Sequence, residues 1–192
     1  DRNLLTRQNM ETTTLATTLE DGSIVYLAGN AAIHYPEHFQ PDKREISLQG
    51  NALFDIAGNR KRPFLIETED ARIEVLGTAF NVKSDGSQPF ELSVQRGLVK
   101  VTLKKSGQDV HVKAGETVTL SSRKLQVRQT KDTGQFEEYV RQIRFKDERL
   151  ADILRVINLN AENISLKTPP ELESRTLTVT FADNSPETMA EL

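Results

Sequence analysis

Ile73-Glu74-Val75-Leu76-Gly77-Thr78-Ala79-Phe80-Asn81-Val82 is two short runs of alternating apolar residues joined at a glycine. In an extended chain successive side chains point to opposite faces. Ile73 and Val75 therefore share one face before the Leu-Gly-Thr bend, and Phe80 and Val82 share one after it. Gly77 predicts a bulge or corner that a side chain would obstruct. The stretch reads as strand, corner, strand, and the same rhythm recurs on both sides of it.

Upstream, Asp21-Gly22-Ser23 is a turn signal followed by Ile24–Leu27 as a strand. Ala31–Tyr35 reads as another strand stopped by Pro36. Pro41-Asp42-Lys43 is a turn before Arg44–Gln49, and after Gly50 the alternation resumes at Ala52, Phe54 and Ile56. Phe64–Thr68 and Arg72–Leu76 lead into the bend, and downstream Glu91–Gln95 and Leu98–Leu103 continue the series. Val110 with Val112, Val118 with Leu120, and Leu125 with Val127 complete it. Short strands between turn signals every ~8–12 residues predict an all-β unit of antiparallel strands, whether sandwich, barrel or β-solenoid.

The texture changes near residue 129. Gln142–Phe145 looks like a strand and Asp147 like a helix N-cap. Leu150, Ile153, Leu154 and Ile157 then fall on one helical face. Asn163–Lys167 and Thr176–Phe181 read as strands, and Ser185-Pro186-Glu187 announces a further helix. The predicted fold class is mainly β, with a small α+β unit of βαββα order at the end. Residues 1–18 are polar and Thr-rich and predict a flexible lead-in. The all-β domain is then 19–128, a linker 129–136, and the small domain 137–192, truncated at its C-terminus.

Composition narrows the chemistry. Of 192 residues, 36% are hydrophobic and 28% charged, enough for a folded chain with a core. No cysteine is present, which removes disulfides and Cys-based metal sites. No run approaches the roughly 20 apolar residues of a membrane span, and no signal peptide is visible. Because the first residue is Asp1, the chain reads as an excised or processed segment with any anchor upstream. Residues 1–131 carry 18 basic and 16 acidic side chains, whereas 132–192 carry 7 and 12. That acidic end speaks against nucleic-acid binding, which calls for a clustered basic face.

No catalytic constellation emerges. His34 and His38 have the i, i+4 spacing of helical zinc ligands, with Glu37 beside them, but Pro36 lies between and argues against the helix that the spacing needs. They read as surface histidines. A cupin-like metalloenzyme would need several converging histidines, and only His111 and Glu116 come near that. Glu67 and Glu69 could be a glycosidase-like pair but read as solvated strand residues. There is no phosphate-binding glycine motif and no nucleophile elbow. Aromatics are 6% with no Trp, a poor supply for a sugar-stacking platform. No metal or cofactor is called for.

The order of these pieces resembles the FecR family, the transmembrane anti-sigma regulators of bacterial cell-surface signalling. Asp21-Gly22-Ser23-Ile24-Val25-Tyr26-Leu27 looks like the family's opening, and Ala31–Pro36 like the segment after it. Arg44–Gly50, Ala52–Ala57 and Arg62-Pro63-Phe64 continue the likeness. Val75–Val82 is similar to its Leu-Gly-Thr-x-Phe-Asn-Val signature, and Arg96–Val99 and Ala114-Gly115-Glu116 complete it. Ile143–Phe145, Leu150, Ile153-Leu154 and the 181–192 segment resemble the small domain that follows in Bacteroidetes-type members, itself similar to the short signalling domains of secretins and TonB-dependent transporters. The chain departs from the family in lacking Trp, in carrying Asn51 where Glu is frequent, and in stopping early.

The resemblance implies a non-enzymatic periplasmic sensor region of an inner-membrane protein. It would be tethered upstream by one membrane helix to a cytoplasmic segment that holds an extracytoplasmic-function sigma factor. The implied input is the N-terminal signalling domain of an outer-membrane TonB-dependent transporter. Contact is expected at the small domain, through Thr176, Thr178, Thr180, Ile143 and Phe145. The rival readings are a glycan-binding or adhesin-type β-module, which an exposed aromatic patch would favour, and the cupin-like metalloenzyme.

Overall fold

Strand β5 (Arg44–Asp55) organises the molecule because it belongs to two sheets. The computed structural model describes residues 3–160 and 165–181. At Gly50 the backbone takes a positive φ of 96°, and a Cβ there would come within 2.8 Å of the Ala31 Cα. Only glycine fits a conformation and an approach of that kind. Before the bend β5 pairs with β4 (Ala32–Pro36) and, in parallel, with β6 (Phe64–Glu67). Beyond it the strand pairs with β3 (Ile24–Leu27) and β8 (Ala79–Ser84).

The first sheet continues outward from β4 to β1 (Leu4–Gln8), and from β6 through β7 (Ala71–Val75) and β10 (Leu98–Leu103) to β11 (Asp109–Lys113). The second runs from β8 through β9 (Glu91–Arg96) and β12 (Glu116–Ser121) to β13 (Lys124–Gln129). On the other side of β3 it adds β2 (Thr14–Thr18), β14 (Ile143–Arg149) and β15 (Thr176–Phe181). Inward residues of both sheets form one buried cluster, including Ile46, Phe64, Ile73 and Val101 from the first and Val25, Phe54, Phe80 and Val94 from the second. Phe54 and Phe80 stack at 5.2 Å. The fold is mainly β, as predicted, with two parallel pairings (β5 with β6, β14 with β2) among the antiparallel ones of the described residues.

Around β2, β3 and the second half of β5 the second sheet is buried on both faces. Val25 and Leu27 enter the first core, while Ile24 and Tyr26, their alternates on β3, enter a second one with Ala16, Leu53, Ile143 and Phe145. This outer core is closed by α1 (Gln135–Glu138) and α2 (Leu150–Leu159) through Phe136, Ile153, Val156 and Ile157. A strand covered on both sides reads as an unbroken apolar run, and Ile24-Val25-Tyr26-Leu27 is one.

Four expectations change here. Residues 4–8 and 14–18 are strands rather than a flexible lead-in, because β2 gains partners on both edges and buries Thr14 to Thr17. The expected linker 129–136 starts at the end of β13 and finishes with Gln135 and Phe136 buried in α1. Asp147 is not the N-cap of α2; that position is Arg149. Asp147 sits instead at φ 53° in the β14 bulge, where its N–H bonds the Thr178 Oγ1 at 3.0 Å. The 165–167 part of the strand expected at 163–167 is irregular, and its first two residues, like the helix expected from Ser185, lie outside the described residues.

Candidate functional site

The family-like motifs converge on one buried cation. Arg44, 1% exposed, reaches the carboxylate of Asp21 at 2.9 Å, inside the Asp-Gly-Ser turn. Its other N–H groups donate to the carbonyls of Arg62 at 2.8 Å, Ala57 at 2.6 Å and Leu76 at 3.2 Å. Its guanidinium also lies 5.3 Å over the Phe64 ring. The Ser23 hydroxyl donates to Asp21 and accepts the Ala57 N–H. Burial of a charge requires such pairing, and this set fastens the turn, the Arg-Pro-Phe segment and the Leu-Gly-Thr corner to one point. At the corner a Cβ on Gly77 would meet the Gly58 Cα at 2.6 Å, and one on Gly97 would meet the Thr78 methyl at the same distance. These motifs build architecture.

Asn81 has a different task. Its side chain points to the outer face of the second sheet, where its amide donates to Gln135 at 2.8 Å and its oxygen accepts the Tyr139 hydroxyl at 2.8 Å. The Tyr139 phenol is pushed up from its ordinary value, chiefly by burial. Ser93 and Thr117 continue this polar face, their hydroxyls 2.7 Å apart. The signature asparagine thus docks α1, and with it the C-terminal unit.

That unit carries the predicted contact residues. Thr176, Thr178 and Thr180 are exposed along β15, which pairs with β14 on one edge and has no partner on the other among the described residues. Ile143 and Phe145 stand apart from them: both are 0% exposed, beneath α2 in the outer core. They are core residues rather than contact residues, because alternation on β14 points them to the helix-covered face. Leu177, one of the apolar alternates of the β15 threonines, is 39% exposed.

Glu148 holds β14 to the amino-terminal strands. Its carboxylate accepts the Thr18 hydroxyl at 2.7 Å and the Thr18 N–H at 3.3 Å, with Arg7 3.5 Å away. Burial raises its pKa above 4.5, and the Thr18 bonds and Arg7 only partly offset this. A carboxyl with a raised folded pKa favours the native state below its ordinary value and loses that contribution as pH rises through the folded one. Stability of the native protein relative to Glu148→Gln is expected to fall between pH 4 and pH 8, as measured by urea unfolding.

The histidines lie apart. The His34 Nδ1 is 2.9 Å from the Thr6 hydroxyl, and exposed His38 pairs with Glu20 at 3.0 Å, which raises the histidine's pKa. His111 lies on β11 opposite Lys100, beside a groove of about 670 Å³ that exposed Leu76 and Leu98 also line. No grouping of three His, Asp or Glu side chains suited to a metal occurs among the described residues. The exposed large apolar side chains there are Leu, Val and Met, with no aromatic. No described helix is long and apolar enough to cross a membrane.

Comparison with known proteins agrees with the motif order. No curated protein matches the chain. Two solved structures of a candidate anti-sigma factor from Parabacteroides distasonis share its fold. One has a TM-score of 0.67 at 19% identity and covers 97% of this chain and 88% of that one. The other has a TM-score of 0.66 at 20% identity, covering 97% and 89%. The FecR protein family model matches residues 8–100, from the end of β1 into β10. That span holds the Arg44 hub, the Leu-Gly-Thr corner and the Asn81 dock, and it is the part of the chain that matches the FecR protein family.

Proposed function

We propose that this chain is the periplasmic sensor region of a transmembrane anti-sigma factor, and that it takes its input when a partner adds a strand to the open edge of β15. The family match supports the regulatory role. The observation that carries the contact is the edge itself: among the described residues β15 ends the sheet order, with Thr176, Thr178 and Thr180 exposed along it. An unpaired edge offers a row of N–H and C=O groups to an extended segment, and β-branched threonines favour the conformation that pairing needs. The partner in this reading is the N-terminal signalling domain of an outer-membrane TonB-dependent transporter. The output is release of an extracytoplasmic-function sigma factor held by an upstream cytoplasmic segment.

Adjacent prolines test the edge. Neighbouring residues of a strand send their N–H groups to opposite edges, so one of Leu177→Pro and Thr178→Pro cuts the β14–β15 ladder while the other removes a donor from the open edge. The variant that stays folded is expected to bind the signalling domain of a transporter encoded beside it about tenfold or more weakly. That is the effect of one lost hydrogen bond with its acceptor stranded. Calorimetry with wild-type affinity for the folded variant would place the contact elsewhere.

A further inference from the structure

The C-terminal unit does not simply follow the β-sandwich; it is threaded to the start of the chain. β14 lies parallel to β2, with Ile143 opposite Thr14, Arg144 opposite Leu15 and Phe145 opposite Ala16. Two charged side chains of β14 reach the same segment. Glu148 engages Thr18 and Arg7. Arg144 donates to the Asn9 oxygen and pairs with Glu11 at 3.1 Å. Asn9 is fully buried, and its amide spans the carbonyls of Thr13 at 2.8 Å and Leu27 at 2.9 Å. Residues 7 to 18 are therefore gripped at four side chains by two residues of one distant strand.

The gripped segment's other holds are the pairing of β1 with β4 and of β2 with β3, the bonds of Asn9, and Leu15 in the inner core. In β1, Leu4 and Leu5 are 60% and 42% exposed, and among the described residues the strand pairs only with β4. β2 is five residues long and, without β14, would become an edge strand with Ala16 uncovered. Low burial and edge hydrogen bonding mark the segments that open first in a folded protein.

We infer that β14 is a latch: residues 4–18 stay in the sheets because the α2–β14–β15 unit is docked, so that a change at the C-terminal unit is read out at the amino-terminal strands. This deepens the proposed function by giving the β15 edge a route to the other end of the chain. The latch is tested without any partner, so its failure is separate from failure of that reading.

Hydrogen exchange on the full chain tests it, comparing the native protein with Ile153→Asp, which places a charge in the outer core. Expected is exchange at least about tenfold faster in 14–18 and 4–8, together with 143–157, while 44–55 and 79–84 keep their protection. Retained protection of 4–18 beside a deprotected 143–157 would overturn the latch. If Ile153→Asp unfolds the whole chain, the decision passes to Arg144→Met, which removes one grip and leaves the core intact. Faster exchange confined to 4–18 then supports the latch, and unchanged exchange there rejects it.

Discussion

Arg44→Met is expected to destabilise the protein by about 3–5 kcal/mol, the range for removing one partner of a buried ion pair. The size of the effect lies in what is left behind. Asp21 would keep its charge in the turn, and the carbonyls of Ala57, Arg62 and Leu76 would each lose a donor. Methionine fills similar volume, so the loss reports polar pairing rather than a cavity. Adding Asp21→Asn should recover part of the stability, because the uncompensated charge goes. Equilibrium urea unfolding of the two single variants and the double variant measures this; additive losses would show that Arg44 and Asp21 are not coupled.

Gly77→Val is the second large effect, with an expected loss of about 1–3 kcal/mol or more from forced backbone displacement. The cause is proximity: a Cβ at this position would lie 2.6 Å from the Gly58 Cα and 3.2 Å from its nitrogen, and neither backbone atom can swing aside. Two comparisons separate the causes. A Cβ on Gly58 meets nothing within 4 Å, so Gly58→Ala should be mild although the same two residues touch. Gly107 also faces open space but has φ 77°, so Gly107→Val is strained for a different reason and Gly107→Asn should be tolerated. Thermal midpoints in which Gly58→Ala costs as much as Gly77→Val would remove the close-approach argument.

The sandwich was legible because its inward positions alternate so regularly: Ile46 and Leu48, Ile73 and Val75, Val99 and Val101 all enter the core that period-2 reading assigns them. What escaped is what depends on distant chain. Thr14-Leu15-Ala16-Thr17-Thr18 has one large apolar side chain among small and polar ones, and nothing local says that β3 and β14 will bury it. The sequence places Ile143 and Phe145 at an expected contact, and alternation alone leaves open which face of β14 will be covered. The run Ile24-Val25-Tyr26-Leu27 did carry a signal for a second covered face, since four consecutive buried side chains need two cores. Leu154 illustrates the limit of helical periodicity: the most buried face of α2 is Ile153, Val156 and Ile157, with Leu154 at its margin. The Arg44 hub could not be found from spacing, because its partners at 21, 57, 62 and 76 share no period.

The shared strand β5 also limits how the gene for this protein can change. Its first half is in register with β4 and β6 and its second half with β3 and β8. Substitutions within it alter one contact at a time. An inserted or deleted codon would act differently: because side chains alternate with a period of two, every residue on one side of the change would turn over. Phe54 would leave the inner core and Leu53 would enter it, or Ile46 and Leu48 would face solvent while their neighbours were driven inward. Length is thus a more rigid heritable property of this segment than composition. Insertions that such a lineage tolerates belong in open turns such as 85–88 or 105–107, where an added residue shifts no ladder.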